Sequence, residues 1–110
     1  MPAYKHRPGI LVQRDMAMIE FASVAAALED PNFESPGPED TVMLVSNRGQ
    51  MFDLNLTGAL IWEAIDGQKT EDALVDVLAG NFEIDAAVAR RDLRSLVEEL
   101  QRRGLIEIAA

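Results

Sequence analysis

The sequence has no cysteine and a single histidine among its 110 residues. Without cysteine the chain has no disulfide, no thiolate zinc site and no thiol nucleophile, a usage that suits a cytoplasmic protein. The lone histidine, His6, is too little for a histidine-based metal site. With His6 as the one imidazole base, no nucleophile–base set can be built from the serines, which are Ser23, Ser35, Ser46 and Ser95. We therefore expect no enzymatic activity, no metal and no cofactor.

Long apolar runs and excess positive charge are also missing. No run approaches the roughly 20 apolar residues that a membrane-spanning helix needs. The polar start, Met1–Pro8, lacks the apolar core of a secretory signal. Acidic residues outnumber basic ones by 19 to 10, giving a net charge of −9. Because nucleic-acid affinity depends on Lys and Arg neutralising phosphates, we expect neither membrane nor nucleic acid as a partner.

What remains is a chain of one-domain length with 48% apolar residues, typical of a globular protein. Pro8-Gly9 precedes a short strand candidate that begins with Ile10, Leu11 and Val12 and ends near Asp15. Further along, Thr41–Val45 and Gln50–Leu54 flank Ser46–Gly49, whose composition favours a tight turn. We therefore predict a β-hairpin.

Met16–Glu29 fits two structures. As a helix it places its apolar side chains on one stripe, made of Met18, Phe21, Ala22, Ala25 and Leu28. As a strand it would place Ile19 and Phe21 on one face. The alanine run Ala25–Ala27 favours the helix. The segment that follows, Asp30–Asp40, is rich in proline and acidic residues and predicts a solvated loop. Together the two segments have the composition of a tethered arm.

Capping residues divide the second half of the chain into three helices and a tail. The predicted helices are Leu56–Ile65 capped by Asn55, Glu71–Ala79 capped by Thr70, and a longer helix that is capped by Asp85 and runs through Arg103. Gly80 and Gly104 follow the last two helices and predict their ends. Leu105–Ile108 is predicted to fold back as a short strand, whereas Met1–Pro8 predicts a mobile tail. Trp62 lies inside an apolar helix, which predicts a core position instead of a binding surface.

The first of these helices begins in a recognisable run, Leu54-Asn55-Leu56-Thr57-Gly58-Ala59-Leu60-Ile61-Trp62. It resembles the signature of PqqD-like proteins, which is Leu-Asn, two residues, Gly-Ala, then an apolar helix ending in Asp-Gly and a threonine. The ending here is Asp66-Gly67-Gln68-Lys69-Thr70. The resemblance continues in order through Phe82, Asp85, Arg91-Asp92, Leu96, Leu100 and Arg103-Gly104-Leu105-Ile106. It covers about residues 41–108.

The resemblance implies a single α+β domain over residues 1–110, with a winged-helix-like fold. In such proteins, also called precursor-peptide recognition elements, an N-terminal three-stranded antiparallel sheet is followed by a three-helix bundle. They bind the leader of a ribosomally synthesised precursor peptide as an added strand, in the cleft between the third strand and the third helix. They present it to a modifying enzyme, often a radical SAM enzyme. Residues 16–40 depart from this pattern as an atypical insertion, because the family links its first two strands by a tight turn.

Strand addition has a physical basis in the predicted hairpin. An edge strand presents unpaired N–H and C=O groups that bind an extended peptide, while alternate side chains supply selectivity. An ordinary hairpin strand with a solvated edge has the same sequence pattern, and the resemblance favours the binding interpretation. The peptide-binding residues expected on this strand are Gln50, Met51, Phe52, Asp53 and Leu54.

The third helix adds a cationic group to an acidic chain. Arg90, Arg91 and Arg94 lie near its start, and two of them, Arg90 and Arg94, are one turn apart on the same side. Positive charge at a helix N-terminus is unfavourable to the helix dipole, which favours a role outside the helix. We expect these arginines to bind carboxylates of the leader; the alternative is a solvated helical face.

Two other functions are compatible with the sequence. A winged-helix DNA-binding regulator shares the fold, but it requires a basic surface of which the three arginines supply only a fragment. A structural subunit, with its groove blocked by residues 16–40, is the second alternative and allows a homodimer. The leading interpretation is a non-catalytic chaperone that binds a leader peptide and delivers it to a modifying enzyme.

Overall fold

The computed structural model describes residues 3–14, 23–31, 42–46 and 48–109. The strands in these ranges are β1 (Ala3–His6), β2 (Leu11–Arg14), β3 (Val42–Val45), β4 (Met51–Leu54) and β5 (Ile106–Ala109). The helices are α1 (Val24–Glu29), α2 (Leu56–Ala64), α3 (Glu71–Phe82) and α4 (Ala86–Arg102). The predicted α+β class, with an antiparallel sheet followed by three helices, is confirmed.

The chain divides into two compact units. We call residues 9–63 the sheet unit, and residues 1–8 together with 64–110 the helix unit. None of the helices in the described ranges is both long and apolar enough to cross a bilayer.

The sheet unit contains the predicted hairpin. Strands β2, β3 and β4 pair antiparallel in that order, so β3 is central and β4 lies at an edge. The register places Val45 between Leu11 of β2 and Met51 of β4. Side chains of successive residues point to opposite faces of a sheet, and one face here is buried. The buried hydrophobic residues of this unit are Val24, Ala27, Val42, Leu44, Leu54, Leu56, Ala59, Leu60, Ile61 and Trp62.

Only the end of the predicted helix over residues 16–29 can be compared with the structure, because residues 15–22 lie outside the described ranges. Helix α1 begins after Ser23, whose hydroxyl accepts a hydrogen bond from the Ala26 amide at 3.0 Å. The helix is confirmed over its six residues, but the predicted stripe is wrong there. Its buried side chains are Val24 and Ala27, whereas Ala25 is exposed. The predicted stripe and the one that contains Val24 and Ala27 both follow the helical spacing of three and four residues, so periodicity alone did not distinguish them.

The helix unit begins with a strand that the sequence did not predict. β1 pairs antiparallel with β5, placing Tyr4 opposite Ile108. On its other side, the Tyr4 carbonyl accepts a hydrogen bond from the Gly67 amide at 2.8 Å, and Ala3 bridges to Thr70. The expectation of a mobile tail is therefore wrong for residues 3–6. The backbone polar groups of this segment are satisfied by residues distant in the sequence, which local composition does not reveal.

Helices α3 and α4 pack together in the same unit. The Thr70 hydroxyl caps α3 by accepting from the Ala73 amide at 3.5 Å, as predicted. The predicted end at Gly80 is wrong, since α3 continues to Phe82 and ends where Glu83 adopts a left-handed φ of 50°. Asp85 occupies the N-cap position of α4 as predicted, but its side chain makes no capping hydrogen bond. α4 ends as predicted before Gly104, which has a φ of 72°. The buried residues of this unit are Ile65, Leu74, Val75, Leu78, Ala89, Leu93, Val97, Leu100, Leu105 and Ile106.

Candidate functional site

The predicted binding strand is held by a tight, hydrogen-bonded turn. The Ser46 amide donates to the Gln50 carbonyl at 2.9 Å, and the Gly49 amide donates to the Ser46 carbonyl at 3.0 Å. The Ser46 hydroxyl also accepts from the amides of Arg48 and Gln50, at 3.3 and 3.2 Å. Gly49 has a φ of 78°, a conformation that favours glycine. Gln50 therefore precedes β4, and its main chain closes the turn.

The register of this hairpin determines which main-chain groups of β4 face outward. In an antiparallel ladder, hydrogen-bonded and non-hydrogen-bonded residue pairs alternate. The bond from Ser46 to Gln50 makes theirs a hydrogen-bonded pair, so Phe52 with Leu44 and Leu54 with Val42 are the next such pairs. The N–H and C=O groups of the intervening residues, Met51 and Asp53, consequently point away from β3. In the part of the chain that the structure describes, no strand pairs with that outer edge.

The side chains of β4 alternate between two environments. Leu54 is buried and Phe52 is half-buried on one face of the sheet, whereas Met51 and Asp53 are exposed on the other. Successive side chains of an extended peptide added to this edge would point in turn to the face of Phe52 and Leu54 and to the face of Met51 and Asp53. Of the five residues predicted on this strand, Met51 and Asp53 supply the outward backbone groups, and Phe52 supplies a side chain beside the edge.

The Leu-Asn-x-x-Gly run that follows β4 fixes the end of the strand. The Asn55 side chain accepts a hydrogen bond from the Gly58 amide at 2.9 Å, so it caps α2 as predicted. A Cβ atom at Gly58 would lie 3.2 Å from the Leu54 Cδ2 atom, which is a tight contact. Glycine at this position lets the first turn of α2 lie against the buried side chain of Leu54. The motif thus joins the edge strand firmly to the helix after it.

The predicted arginines of α4 lie in the helix unit and differ in their surroundings. Arg90 donates to Glu71 at 2.5 Å and to Asp72 at 2.6 Å, and Arg94 donates to Glu71 through Nε at 2.6 Å. The Arg91 side chain is 76% exposed, and its ion pair with Asp92 is long, at 3.8 Å. Arg90 and Arg94 therefore tie α4 to the first turn of α3, while Arg91 extends from the surface.

The sequence did not predict the role of Glu71. Its side chain is only 15% exposed and forms ion pairs with both Arg90 and Arg94. Hydrogen bonds from Arg94 and then Arg90 lower the pKa of Glu71, against the opposing effect of burial. Acidic residues in a first helical turn are ordinarily attributed to the helix dipole. The available signal was charge complementarity between two predicted neighbouring helices, namely Glu71 and Asp72 against Arg90 and Arg94.

The lowered pKa of Glu71 predicts a pH-dependent contribution to stability. The folded chain binds this proton more weakly than the unfolded chain, so the cluster stabilises the fold above the ordinary pKa of 4.5. That stabilisation is lost as the pH falls through the lowered value. Urea unfolding at about pH 5 and about pH 3 should therefore show a smaller loss of unfolding free energy in Glu71→Gln than in wild type. An equal loss in both proteins would contradict this assignment.

Comparison with known proteins places most of this chain in one family model. Residues 40–106 match the model described as "Coenzyme PQQ synthesis protein D (PqqD)". No curated protein sequence matches the chain. Two solved structures are similar, each with a TM-score of 0.65, 20% sequence identity and 94% of this chain covered. One is named "TbiB1 in Complex with the TbiA(beta) Leader Peptide" and is covered over 94% of its length. The other, "Lasso peptide synthetase B1 complexed with the leader peptide", is covered over 96%. These structures share the fold of this chain.

Proposed function

The chain belongs to the PqqD family, and from that premise we propose that it binds the leader of a ribosomally synthesised precursor peptide by strand addition to β4. The observation that carries this proposal is the outward direction of the Met51 and Asp53 backbone groups at the edge of the sheet. These groups give an extended peptide main-chain donors and acceptors in the register of a further strand. The leader-peptide complexes named for the two similar structures support the same class of ligand.

The bound leader is then delivered to a modifying enzyme, and this chain contributes no chemistry of its own. The family resemblance suggests a radical SAM enzyme as that partner and the cytoplasm as the location. One copy of β4 suffices to bind one leader by this route, so a homodimer is compatible with the proposal but is not required by it. The chain's contribution is to hold the leader extended, which removes conformational freedom before the enzyme acts.

The α4 arginines enter the proposal as contacts for acidic residues of the leader. Arg91 is the most exposed of them, and its ion pair with Asp92 is long. It therefore gives up the weakest existing interaction when it binds a leader carboxylate. Arg90 and Arg94 already share Glu71, and a leader carboxylate would have to compete with that residue. We therefore assign the first electrostatic contact to Arg91 and expect weaker contributions from Arg90 and Arg94.

The same ion pairs weigh against a DNA-binding regulator. Duplex DNA is bound by cations that neutralise its phosphates. In this chain Arg90 and Arg94 are engaged by Glu71 and Asp72, and the net charge is −9. Of the three arginines predicted on α4, only Arg91 is left without a close carboxylate partner for a phosphate to displace.

Fluorescence anisotropy with two labelled probes tests the proposed function. The first probe is the leader segment of a short precursor peptide, to be sought among the genes that neighbour the one for this chain, and the second is a random-sequence duplex DNA. We expect saturable binding of the leader that persists as salt is raised, because main-chain hydrogen bonds are only weakly screened. Saturable DNA binding that falls steeply with salt, without leader binding, would replace this proposal with the regulator.

A further inference from the structure

The open face of the sheet unit carries an apolar row that ends at the edge of β4. The register aligns Leu11, Val45 and Met51 side by side on three adjacent strands. Leu11 is 66% exposed and Met51 is 64% exposed. Single exposed apolar residues are ordinary, but a row across three strands is a continuous stripe. The stripe reaches the edge at Met51, where an added strand would extend it.

The neighbouring row on the same face ends in a negative charge. The register aligns Gln13, Met43 and Asp53. Asp53 is exposed, and among the described residues it makes no ion pair. It lies about 7 Å along the strand from Met51, the spacing of two residues in an extended chain. The edge therefore presents an apolar side chain and a carboxylate, both on the open face.

An added strand would place its own side chains directly beside these two. The backbone groups of Met51 and Asp53 face outward, so an antiparallel strand forms its hydrogen-bonded pairs with these two residues. Side chains of directly paired residues lie on the same face of the sheet and contact each other. The residues of the added strand that pair with Asp53 and Met51 are two positions apart, with the partner of Asp53 nearer the N-terminus.

We propose that Asp53 and Met51 select the leader sequence: a Lys or Arg pairs with Asp53, and two residues later an apolar residue pairs with Met51. This selectivity rests on the proposed strand addition. The antiparallel direction follows the rest of the sheet and gives the more stable pairing. The basic residue gains an opposite charge directly across the strand pair, and the apolar residue extends the row of Leu11, Val45 and Met51. An acidic residue opposite Asp53 is rejected by like-charge repulsion.

A displayed library of random dodecapeptides, selected on three forms of the full chain, provides the test. The forms are wild type, Asp53→Lys and Asp76→Lys, the last being the same charge change at an exposed carboxylate of α3. We expect wild type and Asp76→Lys to enrich a basic residue, any residue, then an apolar residue. Asp53→Lys should enrich an acidic residue at the first of these positions and keep the apolar one.

Calorimetry on one enriched peptide, made with Lys or Glu at the position opposite Asp53, measures the selectivity. Wild type should bind the Lys form about five- to tenfold more tightly, and Asp53→Lys should reverse the preference. The same preference in both chains, or enrichment of the reverse order of residues, would overturn the proposed selectivity while leaving strand addition intact. Peptides that bind Asp53→Pro as tightly as wild type would overturn strand addition and the selectivity with it.

Discussion

Asp53→Pro is expected to weaken leader binding roughly 10- to 100-fold while the chain remains folded. Proline has no N–H, and at this position the lost donor is one that faces away from β3. Internal pairing is unaffected, because proline is tolerated on the outward side of an edge strand. A bound leader, by contrast, loses a hydrogen bond and is left with an unpaired carbonyl against the proline ring.

Phe52→Pro, one residue away, is expected to destabilise the fold, in contrast to Asp53→Pro. Phe52 forms a hydrogen-bonded pair with Leu44, so its amide belongs to the internal ladder. Removing that donor and the half-buried ring should lower the free energy of unfolding by about 2–4 kcal/mol. Urea unfolding followed by circular dichroism measures this loss, and the same experiment should show Asp53→Pro close to wild type.

Asp53→Ala is the matched control for binding, because it removes the same carboxylate but keeps the N–H. The ratio of the Kd values of Asp53→Pro and Asp53→Ala for the leader isolates the main-chain donor. A ratio near one, with both variants folded, would mean that the outer edge of β4 does not bind the leader.

Trp62→Ala should have the largest effect on stability and little effect on the site itself. Trp62 is 3% exposed, and truncation of a buried large aromatic costs about 3–5 kcal/mol. That loss is a large fraction of the 5–15 kcal/mol typical of a domain. Val88→Ala, on an exposed part of α4, is the control and should change stability by less than about 0.5 kcal/mol.

The measurement is urea unfolding at low temperature, with leader affinity determined under conditions where the variant is folded. The Kd per folded molecule should match wild type, because the buried indole is not on the outward edge of β4. A Trp62→Ala variant with wild-type stability and lost leader affinity would contradict the core assignment and make Trp62 a binding residue.

The hairpin and the capped helices were predictable because their signals are local. The turn around Gly49 and the cap at Asn55 each act within a few residues, and helix and strand periodicity describes the segments between them. The resemblance to PqqD-like proteins, carried by the Leu54–Trp62 run, is confirmed by the family match over residues 40–106. The candidate edge strand followed from the same local pattern.

The features that sequence reasoning missed depend on distant partners. β1 is short and half polar, and it is a strand because β5, at the other end of the chain, pairs with it. α3 passes through Gly80 to Phe82 despite the roughly 1 kcal/mol cost of an interior glycine, and it ends where Glu83 adopts a left-handed conformation. Glu71 forms ion pairs with both Arg90 and Arg94 because α4 packs beside α3. Such pairings are set by tertiary structure and not by neighbouring residues.

Amide hydrogen exchange, measured residue by residue with and without the leader, tests strand addition most directly. Phe52 and Leu54 belong to the internal ladder, so their amides should already exchange slowly in the free chain. The amides of Met51 and Asp53 face outward, and they should change from fast to slow exchange when the leader binds. Protection gained at these two residues is the result that strand addition predicts. Saturating leader that leaves Met51 and Asp53 in fast exchange, with protection gained only elsewhere, would contradict it.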